Sequence, residues 1–257
     1  MANHRIDRLV AYRRRLIKGL GAVALACGRM DARSSTETAI PADRAAALPP
    51  AVAGVRIVDS NIARAATQLS RSASPPYLFN HAMRTFLFAS LIGRAGKQAF
   101  DEEILYLACV MHDLGLTERF AGDLPFEIQG AEAAKRFLEA QGYAGNGTEV
   151  IWDGIAMHAS AIAGFKRPEI ALVAQGAGAD AIGPDFSRIA RTDAEAVVNA
   201  FPRLRFKKAF VQTCSGVIRR HPGGAARSFM RDIGERFVPG FHPRNFCDLL
   251  ARAPFDE

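Results

Sequence analysis

The sequence predicts an all-α, multi-helix fold: a single globular body that follows a flexible N-terminal segment. Apolar residues recur at intervals of three and four from about residue 57 onward, as on the buried face of a helix. No stretch shows the sustained alternation of apolar and polar residues that is typical of strands. At 257 residues, 49% of them hydrophobic and 23% charged, the chain is long enough to build a full hydrophobic core.

The predicted helices begin and end at recognisable signals. The second helix starts after Ser74, with Pro75 and Pro76 at positions where a helix tolerates proline. Asp101 begins the third helix, with acidic residues in its first turn, and Gly115 marks its end. The helices are expected at about 57–70, 74–96, 101–113, 128–141, 148–160, 167–182, 193–200, 203–220, 225–237 and 244–252.

The net charge of +7 is concentrated near the N-terminus. Residues 1–27 hold six Arg or Lys residues against one Asp, so five of the seven net positive charges lie there. The rest of the chain is nearly neutral, which argues against a nucleic-acid partner. The basic run FPRLRFKKAF at 201–210 is interpreted as the solvated face of a helix.

The N-terminal segment resembles a twin-arginine export signal. RRRLIK at 13–18 precedes a short apolar run, and Ala24-Leu25-Ala26 has the small residues that signal peptidase prefers. This predicts a periplasmic or otherwise exported protein. A lipid anchor on Cys27 is the second choice, because Ala24 replaces the large aliphatic residue that usually precedes such a cysteine. A basic amphipathic helix packed against the body of a cytoplasmic protein is the alternative.

Three regions follow from these patterns. Residues 1–27 form the signal segment, residues 28–53 are a linker rich in Ala, Ser, Thr and Pro, and residues 54–257 form the helical body. The apolar run in the first region has about nine residues, far fewer than the ~20 that span a bilayer. No membrane span is therefore predicted.

VMHDLG at 110–115 places a histidine and an acid inside an apolar run. Burying His112 and Asp113 costs free energy unless a partner compensates them. Successive residues of a helix point about 100° apart, so both side chains can reach one ion only near a helix end. Gly115 supplies that end.

Predicted helices carry two more candidate ligands, His81 and Asp180. A fifth group, His158, also lies on a predicted helix. A single histidine on an apolar helix face is more often a hydrogen-bonded core residue than a ligand. Two imidazoles and two carboxylates on buried helices together indicate a divalent metal ion, which offsets the desolvation of its ligands.

The order His81…His112-Asp113…Asp180 resembles the H…HD…D pattern of the HD-domain superfamily of metal-dependent hydrolases, which has an all-α fold. The segments NHAMRTFLFASLIG, HDLGLTERF and EIALVAQGAGADAIG are similar to those of the cyanamide hydratase-type branch. The resemblance covers roughly residues 75–190 and does not include the N-terminal segment or the chain beyond about 200.

This resemblance implies that His81, His112, Asp113 and Asp180 bind a divalent metal ion. Zinc is the expected metal, and iron, manganese and nickel also suit nitrogen and oxygen ligands. Such an ion lowers the pKa of a bound water from ~15.7 toward ~7. The implied reaction adds water to the carbon of a small C≡N compound, so that cyanamide would become urea.

Further residues are candidates for catalysis and for substrate binding. Asp113 and His158 are expected to take part in catalysis, with His158 as an acid, a base or an orienting group. Asn80, Thr117 and Glu127 are candidate substrate contacts, and local capping of helix ends explains them equally well. The aromatic residues expected to line the pocket are Phe79, Phe120, Phe126 and Trp152.

Two other functions stay open at the level of the sequence. An HD-type phosphohydrolase acting on nucleotides or other phosphoesters would need cations to hold phosphate, and Arg84, Arg119 and Lys166 are available. A non-catalytic helical binding module is the other alternative, although all four ligand positions are intact. The expected partner is a small molecule, and the sequence makes no prediction about the number of subunits.

Overall fold

The computed structural model describes residues 47–143 and 145–254, without the side chain of Arg227. The described residues belong to one compact unit, Ala47–Glu257. The predicted signal segment, Cys27 and most of the predicted linker lie outside the described residues. None of the described helices is both long and apolar enough to cross a membrane.

The all-α prediction is confirmed, since the described residues contain ten α-helices and one small antiparallel sheet. In the sheet, β1 (Ala51–Val52) pairs with β2 (Val55–Arg56), with Ala51 opposite Arg56. The helices are α1 (Asn61–Ala73), α2 (Pro76–Ala95), α3 (Glu102–Met111), α4 (Phe126–Ala140), α5 (Asn146–Met157), α6 (Pro168–Ala181), α7 (Arg191–Ala200), α8 (Phe206–Arg220), α9 (Met230–Phe237) and α10 (Phe246–Ala251).

The folded body begins earlier, and its first helix later, than the sequence predicts. Strand β1 lies inside the predicted linker 28–53, because Val52 pairs with Val55 and both side chains are buried. The first helix begins at Asn61 and not at 57, since the Ser60 side chain caps it by accepting the Ala63 N–H at 3.2 Å.

Helix α2 is the central element of the core and is buried around most of its circumference. Helix α6 packs closely on it at Gly176, where an added Cβ would overlap the Thr85 carbonyl oxygen and lie 2.8 Å from Ala89 Cβ. Only glycine permits this approach of the two helices. One turn further along α6, the contact brings Asp180 beside His81.

A second close backbone approach fixes the turn that follows α3. Leu114–Leu116 form a 3-10 turn, and an added Cβ at Gly115 would overlap the Phe126 carbonyl and lie 2.8 Å from Gly130 N. The first turn of α4 therefore packs directly on the segment after Asp113.

Helices α8 and α9 pack on the beginning of α2 and on the α3–α4 connection. Their apolar side chains form a hydrophobic cluster separate from the main core. The members of this cluster are Tyr77, Leu78, Leu116, Phe126, Phe206, Cys214, Val217, Ile218, Ala225, Met230 and Val238. The cluster brings the C-terminal part of the chain next to the candidate ligands.

Candidate metal centre

Three candidate donor atoms meet inside the body. Nε2 of His81 on α2 lies 3.3 Å from Nε2 of His112 and 3.6 Å from Oδ2 of Asp113. The distance from His112 Nε2 to Asp113 Oδ2 is 3.3 Å. All three residues are buried. Their donor atoms lie within 4.8 Å of one another, so they could hold one metal ion.

The end of α3 explains how two neighbouring residues reach one point. His112 is the last residue with helical backbone angles, with φ −59 and ψ −32. Asp113 departs from the helix with φ −101 and ψ 12, and the 3-10 turn Leu114–Leu116 follows. The chain turns here, as the position of Gly115 predicts, and both side chains point to the same place.

His112 and His158 are oriented by the same kind of hydrogen bond to the backbone. Each caps the C-terminus of its helix and donates its Nδ1–H to the carbonyl oxygen three residues earlier, Cys109 at 2.7 Å and Ile155 at 2.6 Å. A carbonyl only accepts, so Nδ1 carries the proton and the Nε2 lone pair of the neutral ring is free. Nε2 of His158 lies 3.8 Å from Oδ1 of Asp113. This histidine therefore faces the other oxygen of the same carboxylate.

Asp180 lies behind the His81 ring and not among the three donor atoms. Its Oδ2 accepts hydrogen bonds from His81 Nδ1 at 2.6 Å and from Arg84 Nη2 at 2.7 Å. Its Oδ1 accepts from Arg84 Nε at 2.8 Å and from Arg203 at 2.6 Å. These donors occupy both oxygens, so Asp180 orients His81 in this structure, and a direct bond from Asp180 to the metal stays a prediction.

The charges in the site favour an ionised Asp113 surrounded by imidazoles. Burial opposes ionisation of this carboxyl, but His112, His81 and His158 together hold its pKa below its usual range. Burial lowers the pKa of His81, and it lowers the pKa of His158 to about 4. For His112 burial is outweighed by the adjacent Asp113, which raises the pKa of the ring. His158 is thus neutral near pH 7.

The donor set fits a divalent cation. Oδ2 of Asp113 is buried and has no hydrogen-bond partner among the described residues, whereas buried polar atoms normally have one. The Nε2 atoms of His81 and His112 face the same oxygen. A cation would satisfy all three atoms together, and nitrogen and oxygen donors suit zinc, iron, manganese or nickel.

Asn80 and Thr117, two predicted substrate contacts, are bound to the backbone. The Asn80 side chain donates to the Pro202 carbonyl at 2.8 Å. The Thr117 hydroxyl donates to the Leu114 carbonyl at 2.6 Å and closes the turn after α3. Local hydrogen bonding therefore accounts for both side chains, and a substrate contact for them stays a prediction.

Glu127 lies in the first turn of α4, next to the donor group. It is 5% exposed, and its Oε2 has no hydrogen-bond partner among the described residues. Burial raises its pKa to about 7, with a further contribution from the charge of Asp113, although a hydrogen bond with Ser228 acts in the opposite direction. A buried carboxyl with a free oxygen can bind a polar group of a substrate, and a substrate contact for Glu127 stays a prediction.

Of the aromatic residues expected to line the pocket, Phe126 contacts a site residue. Its ring centroid lies 5.5 Å from that of His158. The prediction is wrong for Trp152, whose indole N–H donates to Glu132 at 3.0 Å in a surface cleft between α4 and α5. Phe79 packs in the main core, and Phe120 lies under the guanidinium of Arg119.

Part of the site follows α7 and is not predicted from the sequence. The charges of the run 201–210 predict a solvated face, but Arg203 binds Asp180 and the Phe206 ring lies 4.7 Å from the His81 ring. The sequence offers Arg84 as a phosphate ligand, whereas in the structure it is buried and paired with Asp180. Its position three residues after His81 places both on one face of α2, a signal that the sequence does contain.

Comparison with protein families and with characterised proteins agrees with this geometry. Residues 78–181 match the family described as "HD domain". The matched range begins before His81 and ends after Asp180, and it includes His112, Asp113 and His158.

Two yeast proteins are similar over most of the chain. Cyanamide hydratase DDI2 and Cyanamide hydratase DDI3 of Saccharomyces cerevisiae are each 25% identical over 204 residues, which is 77% of this chain and 87% of the yeast protein. An uncharacterized protein of Clostridium beijerinckii is 30% identical over 82 residues, 30% of this chain and 52% of that protein.

Proposed function

Residues 78–181 are an HD domain of the metal-dependent hydrolase superfamily, and we propose that the protein is a metal-dependent enzyme that hydrates a small C≡N compound of the cyanamide type. The observation that carries this proposal is a buried group of two imidazole Nε2 atoms and the unpartnered Asp113 Oδ2, faced by a neutral third histidine. The similarity to the yeast cyanamide hydratases supports the substrate class.

The proposed metal ligands are Nε2 of His81, Nε2 of His112 and Oδ2 of Asp113. Zinc is the first choice, and the same atoms would accept iron, manganese or nickel. Bound there, a divalent ion supplies Lewis acidity, which lowers the pKa of water from ~15.7 toward ~7. Asp180 acts through His81: it fixes the ring so that Nδ1 carries the proton and Nε2 is free.

Hydration of a C≡N group requires proton movements that this chain can perform. As the water oxygen bonds to the carbon, one π bond of the C≡N group opens and one proton of the water is transferred to the nitrogen. The second proton then passes from oxygen to nitrogen as the remaining C–N π bond is replaced by the C=O of the amide. The Nε2 atom of His158 can accept a proton because its Nδ1–H is held by the Ile155 carbonyl. Asp113, 3.8 Å away, stabilises the positive charge that His158 then carries.

The charges around the donor group argue against phosphoester hydrolysis. A phosphohydrolase needs cationic groups that are free to hold phosphate. Among the described side chains, Arg84 and Arg203 reach the site, and both are paired with Asp180. The other two candidates, Arg119 and Lys166, are exposed to solvent. A small uncharged substrate fits this site better than a phosphate ester.

One experiment distinguishes the three functions. Purified protein, loaded in turn with zinc, iron, manganese or nickel, is assayed for urea formation from cyanamide and for hydrolysis of p-nitrophenyl phosphate. We expect urea from at least one metal form and no release of nitrophenol. Release of nitrophenol without formation of urea would favour a phosphohydrolase instead. A metal-loaded protein inactive on both would favour the non-catalytic module.

A further inference from the structure

Three phenylalanines from the chain beyond the HD-domain match, together with Phe126 of α4, form a row of aromatic rings beside the site. Phe206 lies 4.7 Å from His81, Phe210 5.0 Å from Phe206, and Phe229 6.0 Å from Phe210, measured between ring centroids. Phe126 lies 5.5 Å from Phe229 and 5.5 Å from His158. The four phenylalanines, here called the aromatic arc, thus connect the rings of two site histidines without interruption.

The arc is held in place at the His81 end by polar contacts. Arg84 Nη1 donates to the carbonyl oxygens of Phe201 and Pro202 at 2.9 and 3.2 Å. Arg203 donates to the backbone oxygen of Asp180 at 2.8 Å, and its guanidinium lies 4.9 Å from the Phe206 ring centre. The segment that carries Phe206 is therefore fixed to the same residues that orient His81.

The backbone between this anchor and the arc adopts an uncommon conformation. Leu204 and Arg205 are consecutive non-glycine residues in the left-handed region, with φ of 47 and 62. Residues in this conformation are strained and persist where surrounding contacts hold them. Here the strained pair turns the chain so that α8 begins with the Phe206 ring against His81.

Exposure differs along the arc. Phe206 and Phe126, the two end members, are each 3% exposed. Phe210 and Phe229, the two middle members, are partly exposed. The middle rings therefore have one part in contact with solvent, and through Phe206 and Phe126 they connect that surface with the two site histidines.

From this arrangement we propose that Phe210 and Phe229 form the entrance of the site and set the size of the substrate, admitting a short linear group and excluding branched or ring-bearing ones. This inference rests on the proposed function, which it narrows from C≡N compounds in general to those with a small substituent. The rings offer apolar faces and no charge, so they favour a neutral substrate as well.

The test compares Phe210→Ala with Phe237→Ala. Phe237 is an exposed phenylalanine on α9, and its described ring contact is with Arg236 and with no member of the arc. The turnover measurement is the ratio of kcat/KM for cyanamide to that for dimethylcyanamide. We expect Phe210→Ala to shift this ratio at least about tenfold toward the larger compound, and Phe237→Ala to leave it unchanged. Equal ratios in the wild type and Phe210→Ala would overturn the proposal.

A binding measurement separates this inference from the reaction itself. Cobalt-loaded proteins are titrated with thiocyanate, a linear ligand, and with benzohydroxamate, a ring-bearing one, and binding is followed by visible absorption. We expect the wild type to bind thiocyanate alone and Phe210→Ala to bind both. If the wild type binds thiocyanate and not benzohydroxamate but does not hydrate cyanamide, the proposed function is wrong and the proposed limit on ligand size is supported. If the wild type binds both ligands equally, the size limit is wrong.

A second variant covers the case in which Phe210→Ala loses cobalt. Phe229→Ala is then compared with the wild type in the same titrations. Admission of benzohydroxamate by Phe229→Ala supports the entrance, and continued exclusion by a cobalt-loaded Phe229→Ala overturns it.

Discussion

At the scale of single residues, Asp113 organises the site. Its two oxygens face three imidazole Nε2 atoms at 3.3 to 3.8 Å. The sequence predicts that His112 and Asp113 converge, because the HD dipeptide stands at a helix end in an apolar run, and the resemblance to the H…HD…D pattern adds His81 to them. It could not predict where Asp180 binds, because that depends on Arg203, which lies far along the chain and whose contact is set by tertiary packing.

His158 is expected to act on the rate and not on the metal. We predict that His158→Ala keeps its bound metal and loses about 10²–10⁴-fold in kcat, the range for removing an acid or base. His221→Ala is the matched control, since that histidine pairs with Asp123 at the surface. Metal content and kcat are measured on the same samples. An unchanged kcat in His158→Ala would show that His158 is not the acid or base of the reaction.

Glu127 makes the stability of the metal-free protein depend on pH. Its pKa rises from 4.5 in the unfolded chain to about 7 in the folded protein, so the folded state binds the proton more tightly between these values. The free energy of unfolding therefore falls as the pH rises through this window and levels off above it. We predict that the melting temperature of Glu127→Gln, which has no such proton, rises relative to that of the wild type when the pH is raised from about 5 to about 8. The same difference in melting temperature between the two proteins at both pH values would contradict this.

At the scale of helices, local signals in the sequence predict most of the fold. The bounds of α2, α3 and α7 lie within about two residues of the predicted ones, because proline, aspartate and glycine mark their ends. The start of α9 is less well predicted: the sequence places it at about 225, but a 3-10 turn at Gly224–Arg227 precedes a helix that begins at Met230. The sequence does not predict the β hairpin, because each strand has two residues, too few for a visible alternation.

The run 201–210 shows where sequence patterns are insufficient. Its charges describe the exposed face of α8 correctly, since Lys207 and Lys208 are exposed. Phe206 and Arg203 face the opposite way, toward His81 and Asp180. Periodicity identifies that a face is buried, but it does not identify what that face covers.

Gly176 and Gly178 test the contact between α2 and α6. An added Cβ at Gly176 would meet the backbone of Thr85 and Ala89, whereas at Gly178 the nearest atom is Pro184 Cγ at 3.4 Å. We predict that Gly176→Ala costs about 2 kcal/mol or more and weakens metal binding. Gly178→Ala should be neutral or stabilising by up to about 1 kcal/mol, since alanine favours the helix. Urea unfolding of both variants measures the difference; equal stabilities would contradict the close approach.

At the scale of the whole molecule, export stays a prediction, because residues 1–27 lie outside the described part of the chain. We propose that the arginine pair at 13–14 directs a folded, metal-loaded protein through the twin-arginine route. Replacing Arg13 and Arg14 by Lys should retain the protein in the cytoplasm, as judged by cell fractionation. If the double lysine variant is distributed between the cell fractions as the wild type is, the alternative is favoured, in which the segment is a basic helix of a cytoplasmic protein.

The proposed site, in which His81, His112 and Asp113 bind one divalent ion inside this helical body, can be examined by elemental analysis of the purified wild type and of His112→Ala. Circular dichroism shows whether both proteins are folded. We expect about one metal ion per wild-type chain and less than about a tenth of that in folded His112→Ala, because one of three ligands is lost. Equal metal in the two proteins, or none in a wild type purified and supplied with zinc, iron, manganese and nickel, would contradict it.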